Sequence, residues 1–107
     1  MDAQAAIERR DIGIHRAVEK ADRDDSGWSW RAYYALLKYA TTHDNKFLAE
    51  DVREWAERHG HINPPENARA WGAVMQRGVR RKIIEKVGYA PVKSSNLSPK
   101  VLWRRVI

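Results

Sequence analysis

Between positions 69 and 81 the chain carries Arg69, Gln76, Arg77, Arg80 and Arg81, with Gly72 and Ala73 among them. In a major groove, guanidinium forks pair with guanine edges, a glutamine amide pairs with adenine, and small residues let a helix approach closely. At about 100° per residue, Arg69, Gln76 and Arg80 share one side of a helix, with Gly72, Ala73 and Arg77 beside them. Ala70, Trp71, Val74, Met75 and Gly78 gather on the opposite side. One face is therefore apolar enough to dock on a core, while the other offers donors on a floor of small side chains. A solvated basic face on an ordinary surface helix is the competing reading, and for a lone basic helix it is the commoner one.

Other chemistries find less support. Cysteine is absent, which removes disulfides, thiolate zinc sites and a cysteine nucleophile. His43, His59 and His61 match no ligand motif such as HExxH, and the last two straddle a helix end, so no metal site is expected. Asp24-Asp25 and Glu50-Asp51 read as a turn and a helix start rather than as nuclease carboxylates. No Gly-rich phosphate loop and no Ser-His-acid arrangement is present. The chain reads as a non-enzyme with no cofactor and no evident small-molecule ligand.

Charge is distributed unevenly. Residues 1–67 hold ten Lys and Arg against thirteen acids, a net −3, whereas residues 68–107 hold ten against Glu85 alone, a net +9. Such polarity points to a polyanionic partner. Anionic lipid would require a spare apolar helix face, but the apolar residues here are needed for a core. The opening MDAQAAIERRD lacks the apolar stretch of a signal peptide, and no run reaches membrane-spanning length. A soluble cytoplasmic protein is expected. At 107 residues, with 43% hydrophobic content, five Trp and four Tyr, it should fold as one globular unit.

The elements that must position the basic face follow from periodicity. Residues 2–22 read as a first helix whose apolar line is thin: Ala6, Arg10, Ile14 and Val18, flanked by Ile7 and Ala17. Gly13 lies inside it and costs up to about 1 kcal/mol relative to Ala. After the turn at 23–27, residues 28–41 form a second helix capped by Ser26 or Ser29, with a stripe wide enough for a central core helix. Trp28 and Trp30 are expected to pack its entrance, and a base-stacking role for them is the lesser alternative. Residues 47–59 form a third helix burying Val52, Trp55, Ala56 and His59, ended by Gly60. Asn63 then caps a fourth over 64–82, with Pro64 in its first turn and Glu66 three residues after the cap. Ile83 to Gly88 reads as a strand, 89–99 as turn and loop, and 100–107 as a returning strand.

Three helices and a basic hairpin follow one another from Trp28 onward, and over that span the chain resembles a winged helix-turn-helix DNA-binding domain. The runs ARAWGAVMQRGVRR, IIEKVGY and VLWRRV also resemble those of short proteins encoded by bacteriophages and prophages. The resemblance implies a mainly α fold with a small C-terminal β-hairpin, residues 1–27 being an added N-terminal helix and turn and 28–107 the winged helix. It makes 47–59 the positioning helix, 64–82 the recognition helix in the major groove and 83–107 the wing. Arg69, Gln76 and Arg80 would face base edges over Ala73, with Arg77 and Arg81 on phosphates and backbone N–H groups near Glu66 and Asn67 offered to another. Lys93, Ser94, Ser95, Asn96 and Lys100 would lie at or near the wing tip, while of Arg104 and Arg105 one would meet a phosphate and the other an acid. The function implied is double-stranded DNA binding by a transcriptional regulator or a replication or recombination accessory, with a homodimer pairing half-sites. The rival is a protein-contact module whose basic face meets an acidic partner, with Trp28, Trp30 or Tyr89 as an exposed anchor.

Overall fold

The computed structural model, which describes residues 3–90 and 100–107 with side chains from Arg9 onward, places helices before Lys82 and strands after it. In chain order the elements are α1 (Ala3–Asp24), α2 (Trp28–Thr42), α3 (Ala49–Arg58), α4 (Ala70–Arg80), β1 (Ile84–Ala90) and β2 (Lys100–Arg105). The architecture is mainly helical with a C-terminal two-stranded antiparallel hairpin. Among the described residues no helix is long and apolar enough to cross a membrane.

α2 occupies the centre. Trp28, Ala32, Leu36 and Ala40 are buried along it, and Trp28 meets Trp71 of α4 edge to face with ring centroids 5.6 Å apart. The Trp28 indole also donates to the Asn63 carbonyl at 2.9 Å. The α1–α2 turn passes through Gly27 at φ 80, a left-handed conformation that glycine adopts with little strain. Neither Ser26 nor Ser29 caps α2. Asp22, in the last turn of α1, accepts both the Ser29 backbone N–H and the Ser29 hydroxyl at 2.8 Å each. The cap therefore comes from the preceding helix and ties the two together. At the other end of α2, Arg105 of β2 donates to the Ala40 and Thr41 carbonyls at 3.4 Å, where a cation suits the helix dipole.

Phe47 begins no helix. It is extended and bridges Trp103 of β2, with paired backbone bonds of 2.9 and 2.8 Å. α3 starts two residues later, where the Asp51 carboxylate accepts the Leu48 N–H at 2.8 Å. Val52 and Ala56 are buried and Trp55 is half-buried, but His59 is exposed, contrary to expectation. Its ring packs beside Trp55 instead, as do those of His43 and His61.

α3 and α4 terminate in the same way. His61 N–H bonds Ala56 O at 2.9 Å and Gly60 N–H bonds Glu57 O at 3.2 Å; Ile83 N–H bonds Gly78 O at 2.9 Å and Lys82 N–H bonds Val79 O at 3.0 Å. Both are Schellman motifs, whose turning residue is left-handed. Gly60 fills that role at φ 71, and Lys82 fills it at φ 59. The hairpin then runs from Ile84 opposite Arg105 to Ala90 opposite Lys100, with a bulge between Lys86 and Gly88. Tyr89 and Ala90, read from sequence as a turn, extend β1.

Candidate nucleic-acid interface

α4 buries the five residues its periodicity selects: Ala70, Trp71, Val74, Met75 and Gly78. Its start differs from the sequence expectation. Residues 64–69 are irregular, with bends at 66–67 and a turn at 68–69 rather than helix, because Pro65 pushes Pro64 towards extended backbone. The Asn63 backbone carbonyl accepts the Trp28 indole N–H, and the Glu66 carboxylate pairs with Lys20 at 3.0 Å. Asn67 takes over instead: its side-chain oxygen accepts the Arg69 N–H at 2.9 Å, and its carbonyl accepts the Ala70 N–H at 3.1 Å. The helix thus begins six residues late, and no helix N-terminus lies at Glu66 to receive a phosphate.

The outward face of α4 is not open along its whole length, since α1 lies against its first half. Ile14 of α1 reaches to 3.0 Å of the position a Gly72 Cβ would take, and Arg69 Nη1 lies at 3.0 Å from the corresponding position on Gly13. Gly72, expected on the floor of a nucleic-acid-facing surface, instead accommodates α1. Beside this crossing a cleft of about 700 Å³ opens between α1, α2 and α4. Ala73, Gln76, Arg77 and Arg80 line one wall, and Asp11, Glu19 and Asp22 are among the residues of α1 that line the other. No carboxylate of that wall comes within ion-pair distance of the arginines.

The remaining candidates differ in exposure and pairing. Gln76, Arg80 and Arg81 are exposed. Arg77 is half-buried over the Trp30 ring, 4.3 Å from its centroid, and its Nη1 is shielded with no hydrogen-bond partner. Arg81 stands 5.6 Å from the same ring and 5.5 Å from that of Tyr33. In the hairpin, Lys100 pairs with Glu50 at 3.5 Å, Arg104 with Glu85, and Arg105 with Asp44 at 3.3 Å. Both Arg104 and Arg105 therefore serve carboxylates. Lys93, Ser94, Ser95 and Asn96 lie outside the described residues.

Two features escaped sequence reasoning. Trp30 does not pack the entrance of α2; it is 45% exposed, and Tyr34 is 61% exposed. Their i, i+4 spacing opposite the Ala32–Leu36 stripe was the available signal. The second is a groove of about 540 Å³ between α1, α4 and the hairpin, rimmed by Arg10, Lys86 and Lys100 over Met75 and Trp103. There the Lys86 ammonium bonds the Tyr89 hydroxyl, which lowers the phenol's pKa below its ordinary value.

Among the described residues, no three His, Cys, Asp or Glu gather to hold a metal ion. Comparison with known proteins finds no match to a family model, a curated protein or a solved structure.

Proposed function

We propose that this chain is a winged-helix protein that binds double-stranded DNA, with α4 directed at the major groove and the β1–β2 hairpin as its wing. One observation carries the reading. Arg69, Arg77, Arg80 and Arg81 stand on or beside α4, and among the described residues none of them has a carboxylate partner. The described hairpin arginines, by contrast, are both neutralised. Unpaired guanidinium charge is thus left on the helix rather than on the strands, and a polyanion is the partner that would use it. The order α2, the Phe47 bridge, α3, α4 and hairpin supports the winged-helix assignment, since the single-residue bridge sets Phe47 beside β2 between α2 and α3.

The position of α1 refines the roles. Gln76 and Arg80, which line the cleft beside α1 but are exposed, face base edges, and Arg81 reaches a phosphate. Arg69, held beside Gly13, contacts the duplex from the margin. Ala73 forms part of the cleft wall rather than a point of closest approach. The protein acts as a regulator or as an accessory to replication or recombination.

The test is fluorescence anisotropy with mixed-sequence duplex DNA at several salt concentrations. Binding should weaken steeply with salt, the log–log slope changing by about 0.9 for each phosphate contacted. A folded protein that fails to bind duplex at low salt would assign the basic face to an acidic protein instead.

A further inference from the structure

We propose that Trp30 and Tyr34 form a stacking platform for unpaired nucleotides, so that the protein engages a single-stranded segment adjoining the duplex held by α4. The proposal rests on the duplex reading and extends it to a second ligand element.

On α2 the buried stripe is Ala32, Leu36 and Ala40, and Trp30 and Tyr34 lie one turn apart on the other side. Their rings are 6.4 Å apart and inclined by 35°, both substantially exposed. Trp30 is nonetheless fixed in place, with Tyr33 edge to face against it at 6.1 Å and the Arg77 guanidinium at 4.3 Å. A rigid, half-exposed aromatic surface suits a base, because every base presents a π-face and stacking needs no particular sequence.

The rim of the platform supplies the matching charge. Arg77 and Arg81 both reach the Trp30 ring, and neither pairs with a carboxylate among the described residues. A nucleotide satisfies both features together, its base on the rings and its phosphate against a guanidinium. An acidic peptide would meet the arginines but leave the exposed parts of the two rings in water. Arg80 and Arg81 are consecutive at the end of α4, so a strand leaving the duplex at Arg80 passes Arg81 on its way to Trp30.

The experiment compares a blunt duplex with the free thymidine strand and with the same duplex carrying a 5′ or 3′ thymidine tail of about ten nucleotides, within the span single-strand sites cover. Anisotropy is read at one fixed salt concentration on the full chain. One or both tails should tighten binding about tenfold, the effect of one well-stacked base. Tyr34→Ala, which leaves Arg77 and Trp30 in contact, should reduce that gain severalfold and leave blunt-duplex affinity unchanged. Trp30→Ala should abolish the gain, and Trp30→Phe should restore most of it. Blunt-duplex binding with no gain from either tail would overturn the platform alone. A gain that survives in both alanine variants, verified as folded by circular dichroism, would also overturn it. Binding to the tailed DNA and to free single strand, but not to blunt duplex, would sustain the platform and overturn the duplex reading. Absence of binding to every DNA would overturn both.

Discussion

Ile14 of α1 occupies the space that a side chain on Gly72 of α4 would need, with three of its side-chain atoms within 3.0–3.3 Å of that Cβ position. The contact involves Cγ1 and Cγ2 as well as the flexible Cδ1 tip, so Ile14 cannot simply swing aside. Gly72→Val should destabilise the protein by about 1–3 kcal/mol through overpacking. In a double-mutant cycle by urea denaturation, Ile14→Ala should recover part of that loss. Strict additivity would show that the two helices do not meet there.

Trp28 and Trp71 touch, but their indole nitrogens differ. Trp28 Nε1 donates to Asn63, whereas Trp71 Nε1 is buried without a partner. Replacing Trp71 by Phe removes an orphaned donor, while Trp28→Phe strands a carbonyl. Trp28→Phe should therefore cost about 1 kcal/mol more than Trp71→Phe. Trp71→Ala should cost about 3–5 kcal/mol, a core loss to be read by thermal denaturation.

The cap on α2 depends on a residue in another helix. Asp22→Ala removes the acceptor of both Ser29 donors, and Ser29 is buried. A loss of about 1–2 kcal/mol is expected. Ser26→Ala, which changes no side-chain cap of α2, should be nearly neutral; the reverse ranking in a melting comparison would return the cap to Ser26.

Lys82 holds a left-handed conformation in the motif that Gly60 completes for α3. That conformation costs a side-chain-bearing residue about 1 kcal/mol or more, and glycine avoids the cost. Lys82→Gly should raise stability by about 0.5–1 kcal/mol in chemical denaturation, offset in part by the greater freedom of glycine in the unfolded chain.

The arginines should separate by function. Arg80→Ala should weaken duplex binding by about 1–3 kcal/mol and relax preference at one base position. Arg104→Ala, whose guanidinium serves Glu85, should change affinity far less. Equal losses in anisotropy titrations would mean that DNA contacts the hairpin as strongly as α4.

The sequence by itself determined the buried side of α4, the end of α3 at Gly60 and the concentration of positive charge after Asn67. Each follows from local physics: a helix fixes the angular position of its side chains whatever it packs against, and a left-handed helix end favours glycine. The core face Ala70, Trp71, Val74, Met75 and Gly78 was legible for that reason. Only the tertiary structure decided what happens on the other side. Gly72 and Ala73 read from sequence as the floor of a nucleic-acid-facing surface, whereas Gly72 makes room for α1, an outcome that depends on where the thin apolar line of α1 finds cover. Distance along the chain hid the rest. Asp22 caps across a turn, Phe47 pairs with Trp103 through backbone groups that carry no side-chain signature, and Trp30 is left outside because Tyr33 and Arg77 hold it there. Periodicity ranks the faces of one helix, but which face meets a neighbour is a property of the assembled chain.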